Sequence, residues 1–597
     1  MDEIDDTHDF VVVGSGAGGG PLAANLAEAG HRVLLLEAGD EHNCPYYDVP
    51  LLHARASEDP DMRWDFFVHH YDDTDRRRRD SKYLAEQDGV LYPRGTTLGG
   101  STAVSAMITV YPHHSDWDAI AQLTGDPSWS AQQMRRHVER LESCGHAPPD
   151  ARARHGHDGW LQVSRANPAV GNREQQWLDI FEAFEQTSLD IAGEPPAGLG
   201  YPLDPNDWRT LTHRAEGMAF IPVAVAAGAR NGSRERVLTA QRAHPDRLTV
   251  RLGALVTRVL FDGDRAVGVE YMDGPHLYRA DPLATPAAAT VRSVHARREV
   301  VLCGGAFNTP QLLKLSGIGP REELAAHGIP LRVDAPGVGE NLQDRYEVSV
   351  VHKLRRTYDI FDGAAFDAPP PGTAGTDPHF HEWSEQRDGI YSTNGSLAAY
   401  LKRSSQADRD PDLFIFALPA HFRGYYPGYA EEFTHHTDTL SWVILKGHTR
   451  NRAGSVTLRS ADPCDTPEIS FRYFQEGGEP DLDAVADGIE LVRTMAHRLD
   501  RLIDHELVPG PQAATREDLR RFVRDEAWGH HACGTARIGA EHDPMAVLDG
   551  DFRVRGTRGL RVVDACVFPS IPGFFLASAV YLISEKASEA VLRDHPT

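Results

Sequence analysis

Short apolar runs separated by glycine-rich turns set the pattern of this chain from its first residues. Phe10–Val13 and Val33–Leu36 are apolar at every position, the signature of strands buried on both faces. Between them Pro21–Ala29 has helix-forming composition, and Gly30 supplies a stop. Farther on, "RLTVRLGALVTRVLF" leads through "DGDRA" into "VGVEY", which predicts a β-hairpin within Arg247–Tyr271. Arg298–Gly319 reads as a strand, a glycine turn and a helix. Asn451–Ser460 reads as a strand, Gly559–Gly573 as a late strand and a break, and Phe574–Leu592 as a closing helix with apolar residues at helical spacing. Asp72–Asp80 is a mixed charge run expected to be a solvated loop. Ala368–Asp377, rich in Pro and Gly, is expected to be an exposed loop. No fixed-period repeat occurs.

The glycines after the first strand carry the first chemical signal. Gly14, Gly16 and Gly19 have the G-x-G-x-x-G spacing at a strand-to-helix turn. Gly14 would allow the tight turn, Gly16 the close approach of a pyrophosphate, and Gly19 close packing of helix on strand. The helix N-terminus then offers free N–H groups and the positive end of its dipole to the phosphates. Glu37 ends the second strand where a carboxylate would accept hydrogen bonds from a ribose, which disfavours a 2′-phosphate. The unit predicts a dinucleotide site without separating FAD from NAD.

Composition narrows the class. At 597 residues, 41% hydrophobic and 25% charged, the chain has room for more than one globular domain. Its net charge of −26 argues against nucleic acid and against adsorption to an anionic membrane. Six scattered cysteines without a C-x-x-C pair suit free thiols in a reducing compartment. The opening "MDEIDDTHDF" is acidic and polar, unlike a secretory signal, and no apolar run reaches the roughly 18 residues a spanning helix needs. The expectation is a cytoplasmic protein with no membrane span.

Two further stretches resemble the glucose–methanol–choline (GMC) oxidoreductase family. "GTTLGGSTAVSAMITVYPHHSDWD", Gly95–Asp118, is similar to that family's first pattern around Leu98, Gly99, Gly100, Ser101 and Thr102, and "GAFNTPQLLKLSGIG", Gly305–Gly319, to its second. "PGVGENLQDR", Pro336–Arg345, resembles a family segment that usually ends in Asp-His. "HHACGTARIG", His530–Gly539, resembles the family's His-x-x-Gly-Thr stretch, with His531 in the catalytic place.

The resemblance implies FAD and the oxidation of an alcohol to a carbonyl. His531 would take the hydroxyl proton, since an imidazole titrates near neutrality, while flavin N5 takes the hydride. It implies cofactor contacts from Gly14, Ser15, Gly16, Ala17, Gly18 and Gly19, from Glu37 and Ala38, from Arg94, and from Leu98 through Thr102. Further contacts fall to Ser105, Ala106, Met107, Val256, Asp564, Ala565 and Phe575. The family position that binds FAD covalently through histidine in some members is Val104 here, so non-covalent FAD is expected.

The implied fold is α/β: a Rossmann-like FAD-binding domain with an inserted antiparallel-sheet substrate domain of α+β type. The expected division is 1–165, 224–345 and 522–597 for the FAD-binding domain, and 166–223 and 346–521 for the substrate domain. The aromatic "HFRGYYPGYAEEF", His421–Phe433, suits a pocket wall or an antiparallel face, and plain core packing equally.

The chain departs from the family at two places. Counting on from His531 by the usual interval to the second catalytic His or Asn reaches Phe575, which can make no strong hydrogen bond. Ser105 stands where the first pattern has Asn or His. His530 or another group could supply the second contact, the enzyme could run on one base, or the chemistry could be that of a flavin-containing lyase or decarboxylase on the same scaffold. Phe574, Phe575 and Ile571 are expected to make the pocket floor apolar, favouring an apolar or aromatic alcohol, with O₂ or another electron acceptor as second substrate. His530, His531 and Cys533 fit no closed zinc set, so no metal is expected.

Overall fold

A computed structural model gives the fold and describes residues 8–285, 289–370 and 375–597. The N-terminal sheet has seven strands. Its parallel part runs Leu248–Arg251, Val33–Leu36, His8–Val13, the end of Thr290–Leu302, then Leu560–Val562. Phe10 pairs with Val33 and Val13 with Leu36, so both apolar runs lie in register at the sheet centre. The strand Thr290–Leu302 serves two partners. Its first half alternates between exposed and buried residues and pairs antiparallel with Arg265–Asp273, itself the partner of Ala254–Asp262. From Val300 on it is buried at every residue and joins the parallel strands. The change from alternating to continuous apolar sequence tracks the change from one covered face to two.

The helix Gly19–Glu28 packs on this sheet and against the helices Ser233–Ala243 and Leu576–Asp594. A Cβ on Gly19 would lie 2.0 Å from the Gly14 carbonyl oxygen, so helix and turn touch through backbone. Gly30, at φ +107°, ends the segment as expected.

A second sheet has six strands, all antiparallel, in the order Ile503–Val508, Tyr346–Leu354, Thr439–Lys446, Leu413–Leu418, Ala399–Lys402, Gly217–Ala219. Its two central strands, Leu413–Leu418 and Thr439–Lys446, are buried at every residue because both faces are covered. Leu413, Ile415, Trp442 and Ile444 face the helices Gln175–Ile191 and Gly478–Ala496. Phe414, Phe416, Leu418, Val443 and Leu445 join the hydrophobic cluster of the nucleotide-side sheet. This period-2 split carries Phe416 and Leu418 to the space between the two sheets.

One local expectation differs from the structure. The Asp72–Asp80 run contains the short helix Thr74–Arg77, and Asp80 is buried, paired with Lys82 at 2.8 Å and His70 at 3.2 Å. Residues 371–374 of the Ala368–Asp377 loop lie outside the described residues, and the helix Pro378–Gln386 begins directly after it. Among the described residues no helix is long and apolar enough to cross a membrane.

Candidate active site

The turn after Val13 forms one end of the site. Gly14 sits at φ +96° with its N–H donating to the Leu36 carbonyl at 2.8 Å, and a Cβ there would lie 2.5 Å from the Cys303 oxygen. Only glycine meets both demands. Gly16 is different: a Cβ there would meet no atom within 4 Å and would project into open space. Ser15 ties the surrounding loops together. Its N–H and Oγ both donate to Glu37 Oε2, at 2.9 and 2.6 Å, and its Oγ accepts from the Gly99 N–H at 2.9 Å. Glu37, buried at the strand end, is thereby fixed beside the glycine turn.

From there a cavity of about 380 Å³ runs to the histidines. Every cofactor-binding residue expected from the sequence lines it except Gly19, Leu98 and Gly99. Those three stand behind the wall: Gly19 against the Gly14 carbonyl, Leu98 with its N–H on the Asp40 carbonyl, Gly99 on Ser15. Ser105 Oγ reaches Thr102 O at 3.4 Å and accepts from the Met107 N–H at 3.3 Å, so its hydroxyl serves its own turn. The Asp564 carboxylate accepts from the Gly305 N–H, Thr309 Oγ1 and the Cys566 N–H, locking the start of the helix Gly305–Leu315. The residues present fit a dinucleotide: the open face of Gly16 admits the pyrophosphate that a side chain would exclude, and Glu37 stands one strand away.

His530, His531 and Phe575 line the other end of this cavity. The segment Gln343–Glu347 places them. Asp344 Oδ1 accepts from the His531 N–H at 2.8 Å, and its Oδ2 accepts from Tyr92 Oη at 2.6 Å, which in turn accepts from the Ala532 N–H at 2.9 Å. Gln343 Oε1 accepts from the Ile571 N–H at 2.9 Å, and the Arg345 guanidinium donates to the Pro572 carbonyl at 2.6 Å. One segment therefore fixes both the histidine loop and the approach to Phe575. The sequence marked "ENLQDR" by resemblance without giving it a task, and Tyr92 gave no signal.

Glu347 was not expected. Its Oε1 lies 3.3 Å from His530 Nδ1 and 3.4 Å from His531 Nδ1. Glu347 thus lies on the Nδ1 side of both rings, although neither approach is a hydrogen bond. The His531 ring is 4.0 Å from the His530 ring and 5.8 Å, edge on, from the Phe575 ring. His530 stacks on Trp528 at 5.9 Å, and Arg94 donates to its carbonyl. Burial, then the neighbouring charge of His530, then Arg345 and Arg94, hold the His531 pKa well below its ordinary value. Burial and the same arginines bring His530 down to about 3. Burial and Asp344 push Glu347 well above the carboxylate range against the pull of Arg345. Both imidazoles are therefore neutral bases at neutral pH. The nitrogens and the Glu347 oxygen lie within 4.8 Å of one another, a possible donor set, but a cation there would occupy the lone pairs that a base needs. Cys533 is buried away from that set, with its thiol pushed up to about 12 by burial.

The pocket floor differs from expectation. Phe575 lines the cavity, but Phe574 and Ile571 do not. Phe574 turns to His113, 5.1 Å away, and Phe414, 5.4 Å away, because Leu576 starts a helix and adjacent side chains diverge there. The apolar wall comes instead from Phe416 and Leu418 of the second sheet and from Phe422, Tyr425, Tyr429 and Phe433. Of the readings of His421–Phe433, the pocket wall and core packing both hold, since Phe422, Tyr429 and Phe433 line the cavity and also belong to the buried hydrophobic cluster, while Tyr429–His435 is a helix rather than an antiparallel strand.

The chain matches the GMC oxidoreductase family model in both parts, the N-terminal part over residues 17–347 and the C-terminal part over residues 449–584. It is 31% identical over 595 residues to the oxygen-dependent choline dehydrogenase of Photobacterium profundum, covering 99% of this chain and 94% of that one. It is 30% identical over 594 residues to the oxygen-dependent choline dehydrogenase of Vibrio vulnificus, with 99% and 95% covered. Among solved structures, the formate oxidase of Aspergillus oryzae RIB40 aligns with a TM-score of 0.79 at 22% identity over 98% of each chain. A fungal aryl-alcohol oxidase aligns at 0.73 and 20% identity over 99% of this chain and 100% of that one. Both share this fold.

Proposed function

Because this chain belongs to the GMC oxidoreductase family, we propose that it oxidises an apolar or aromatic alcohol to a carbonyl, with FAD held non-covalently between Glu37 and His531. Bound there, FAD supplies the acceptor for a hydride from the alcohol carbon. The protein residues do the rest. Gly14–Gly18 and Gly100–Thr102 would hold the pyrophosphate, Glu37 the ribose, and Val256 the adenine end through its backbone. Val104 carries no nucleophile that could bond to the flavin.

His531 accepts the hydroxyl proton at Nε2, which raises the electron density of the alkoxide carbon and favours hydride loss. Asp344 and Tyr92 fix its backbone, while Glu347 beside Nδ1 offers an oxygen to the imidazolium that forms. His530 takes over the second polar contact that Phe575 cannot make, since it lines the same cavity 4.0 Å from His531. The carrying observation is that the glycine turn, Glu37 and His531 line one continuous cavity.

The aromatic wall supports the apolar substrate class, because a sugar's hydroxyls would find few partners on it. We take residues 1–165, 224–345 and 522–597 as the FAD-binding domain and 166–223 and 346–521 as the substrate domain. A two-electron acceptor such as O₂ closes the cycle. Six unpaired thiols fit a reducing, cytoplasmic setting.

The test is anaerobic. Pure yellow protein is mixed in the dark with benzylic, long-chain, sugar and choline alcohols, and the visible flavin absorbance is followed. Bleaching by benzylic or long-chain alcohols is expected. Flavin that stays oxidised while substrate is consumed overturns the proposal in favour of a lyase, and bleaching chiefly by glucose or choline overturns the substrate class.

A further inference from the structure

A second, smaller cavity backs onto the active-site cavity. It measures about 20 Å³ against about 380 Å³, room for roughly one water-sized sphere. Leu51, Trp177, Phe361, Phe366, Ile390 and Ala420 give it apolar walls. Thr393 and Thr434 also line it, but their hydroxyls donate to the Ile390 and Ala430 carbonyls at 2.8 and 3.2 Å. A space with so few free polar partners holds water poorly and suits hydrocarbon. The partition between the two cavities is thin. His53 lines the main cavity and Leu51 the side pocket; Ser396 the main cavity and Gly395 the side pocket; Leu418 the main cavity and Pro419 the side pocket. At those three places the chain itself passes between the two spaces. At the fourth a single side chain divides them, for Phe433 alone among the described residues lines both.

Phe433 is held where it stands. It lies on the helix Tyr429–His435, one turn after Tyr429, so both rings share the face toward the main cavity. The Glu58 carboxylate accepts from the Gly428 N–H at 2.6 Å and from the Ala430 N–H at 3.0 Å, and Tyr429 Oη and Ser57 Oγ share a hydrogen bond. These contacts fix the helix to the segment that carries His53. The Phe433 ring, 8% exposed, meets the rings of His53 at 5.8 Å and Phe422 at 5.9 Å, both edge on. From Phe422 the aromatic wall continues to Trp528, 5.2 Å away, and from Trp528 to His530. Phe433 thus lies three ring contacts from His530, where the tail of a bound alcohol would end rather than its reacting carbon.

We propose that Phe433 is a specificity-determining residue: it is the end wall for the substrate's tail and sets the longest alcohol that fits, with the side pocket closed off behind it. The proposal rests on the alcohol oxidation inferred above. A tail that reaches Phe433 stops there, because the ring packs on two others and the helix beneath it is anchored. Each methylene added short of that limit moves from water onto an apolar wall, worth about 0.8 kcal/mol, or about fourfold in kcat/KM. Methylenes added beyond the limit stay in water and contribute nothing. Replacing Phe433 by alanine joins the two spaces and moves the limit outward.

The test is a series of n-alkan-1-ols from butanol to dodecanol on the FAD-loaded enzyme. In the wild type, kcat/KM relative to butanol should rise with chain length and then level. In Phe433→Ala the break should come about two carbons later, so that the relative kcat/KM just past the wild-type break rises by about tenfold or more. Adding Ala420→Leu to Phe433→Ala fills the side pocket and should bring the break back; a late break that survives it would overturn the partition. Phe433→Leu should move the break in the same direction, and it decides the matter if Phe433→Ala does not fold. Dissociation constants of the same alcohols are measured from the flavin absorbance shift in His531→Ala protein, with and without the Phe433 substitutions, and should show the same breaks without turnover. If no alcohol reduces the wild-type flavin, the oxidation reading fails and these constants still decide the partition. Constants with no break, or a break at one length in wild type and Phe433 variants alike, would overturn the inference.

Discussion

Replacing Gly16 by valine separates binding from folding. At this position a Cβ meets no atom within 4 Å, and the backbone is not in the left-handed region. The valine side chain therefore costs the apoprotein little, and the loss of glycine's freedom in the unfolded chain is worth about 0.4–1 kcal/mol in its favour. The same side chain fills the space a pyrophosphate needs, and the backbone cannot retreat because Gly100 closes on it: a Cβ on Gly100 would lie 2.9 Å from the Gly16 Cα. Losing two charge-assisted hydrogen bonds at about 1.5–3 kcal/mol each weakens FAD binding by roughly 10²–10⁴-fold. Gly14→Ala and Gly19→Ala are the controls, since their Cβ atoms would meet carbonyl oxygens at 2.5 and 2.0 Å and should impair folding itself. Apoprotein is titrated with FAD by quenching of flavin fluorescence, and its Tm is measured in parallel. Gly16→Val protein that binds FAD normally, or whose apo Tm falls as far as that of Gly14→Ala, refutes the reasoning.

His531 enters the reaction neutral, so kcat/KM should stay flat as pH falls through 6.5, the ordinary histidine value, and drop only well below it; a limb centred near 6.5 would mean that burial does not govern this imidazole. Phe575→His should leave the anaerobic flavin-reduction rate within about threefold, whereas His530→Ala should lower it by about 10²-fold or more; the reverse pattern would return the second contact to position 575. Burial also brings His53, His113, His137 and His352 down to about 4, and His530 to about 3. The unfolded chain binds these protons below about pH 6.5 and the folded chain does not, so Tm should fall as pH drops from about 7 to 5; a rising or flat Tm over that window contradicts buried neutral imidazoles.

The nucleotide half was legible because its signals are local. Strand, glycine turn, helix and Glu37 occupy one short stretch, and backbone sterics alone assign Gly14, Gly16 and Gly19 their different duties. The substrate half was less so. Glu347 and Tyr92 reach the histidines only through strand pairing and chain crossings distant in sequence, and nothing near either residue advertises it. Phe574 and Phe575 were read alike because they are neighbours. The start of a helix sends one to His113 and the other to His531.

The claim that one imidazole accepts the substrate proton meets its most direct test in His531→Ala protein loaded with FAD. Stopped-flow reduction by a benzylic alcohol without oxygen should slow by about 10²–10⁴-fold while FAD content and Tm stay near wild type. An undiminished reduction rate in that fully flavinated variant would contradict the account.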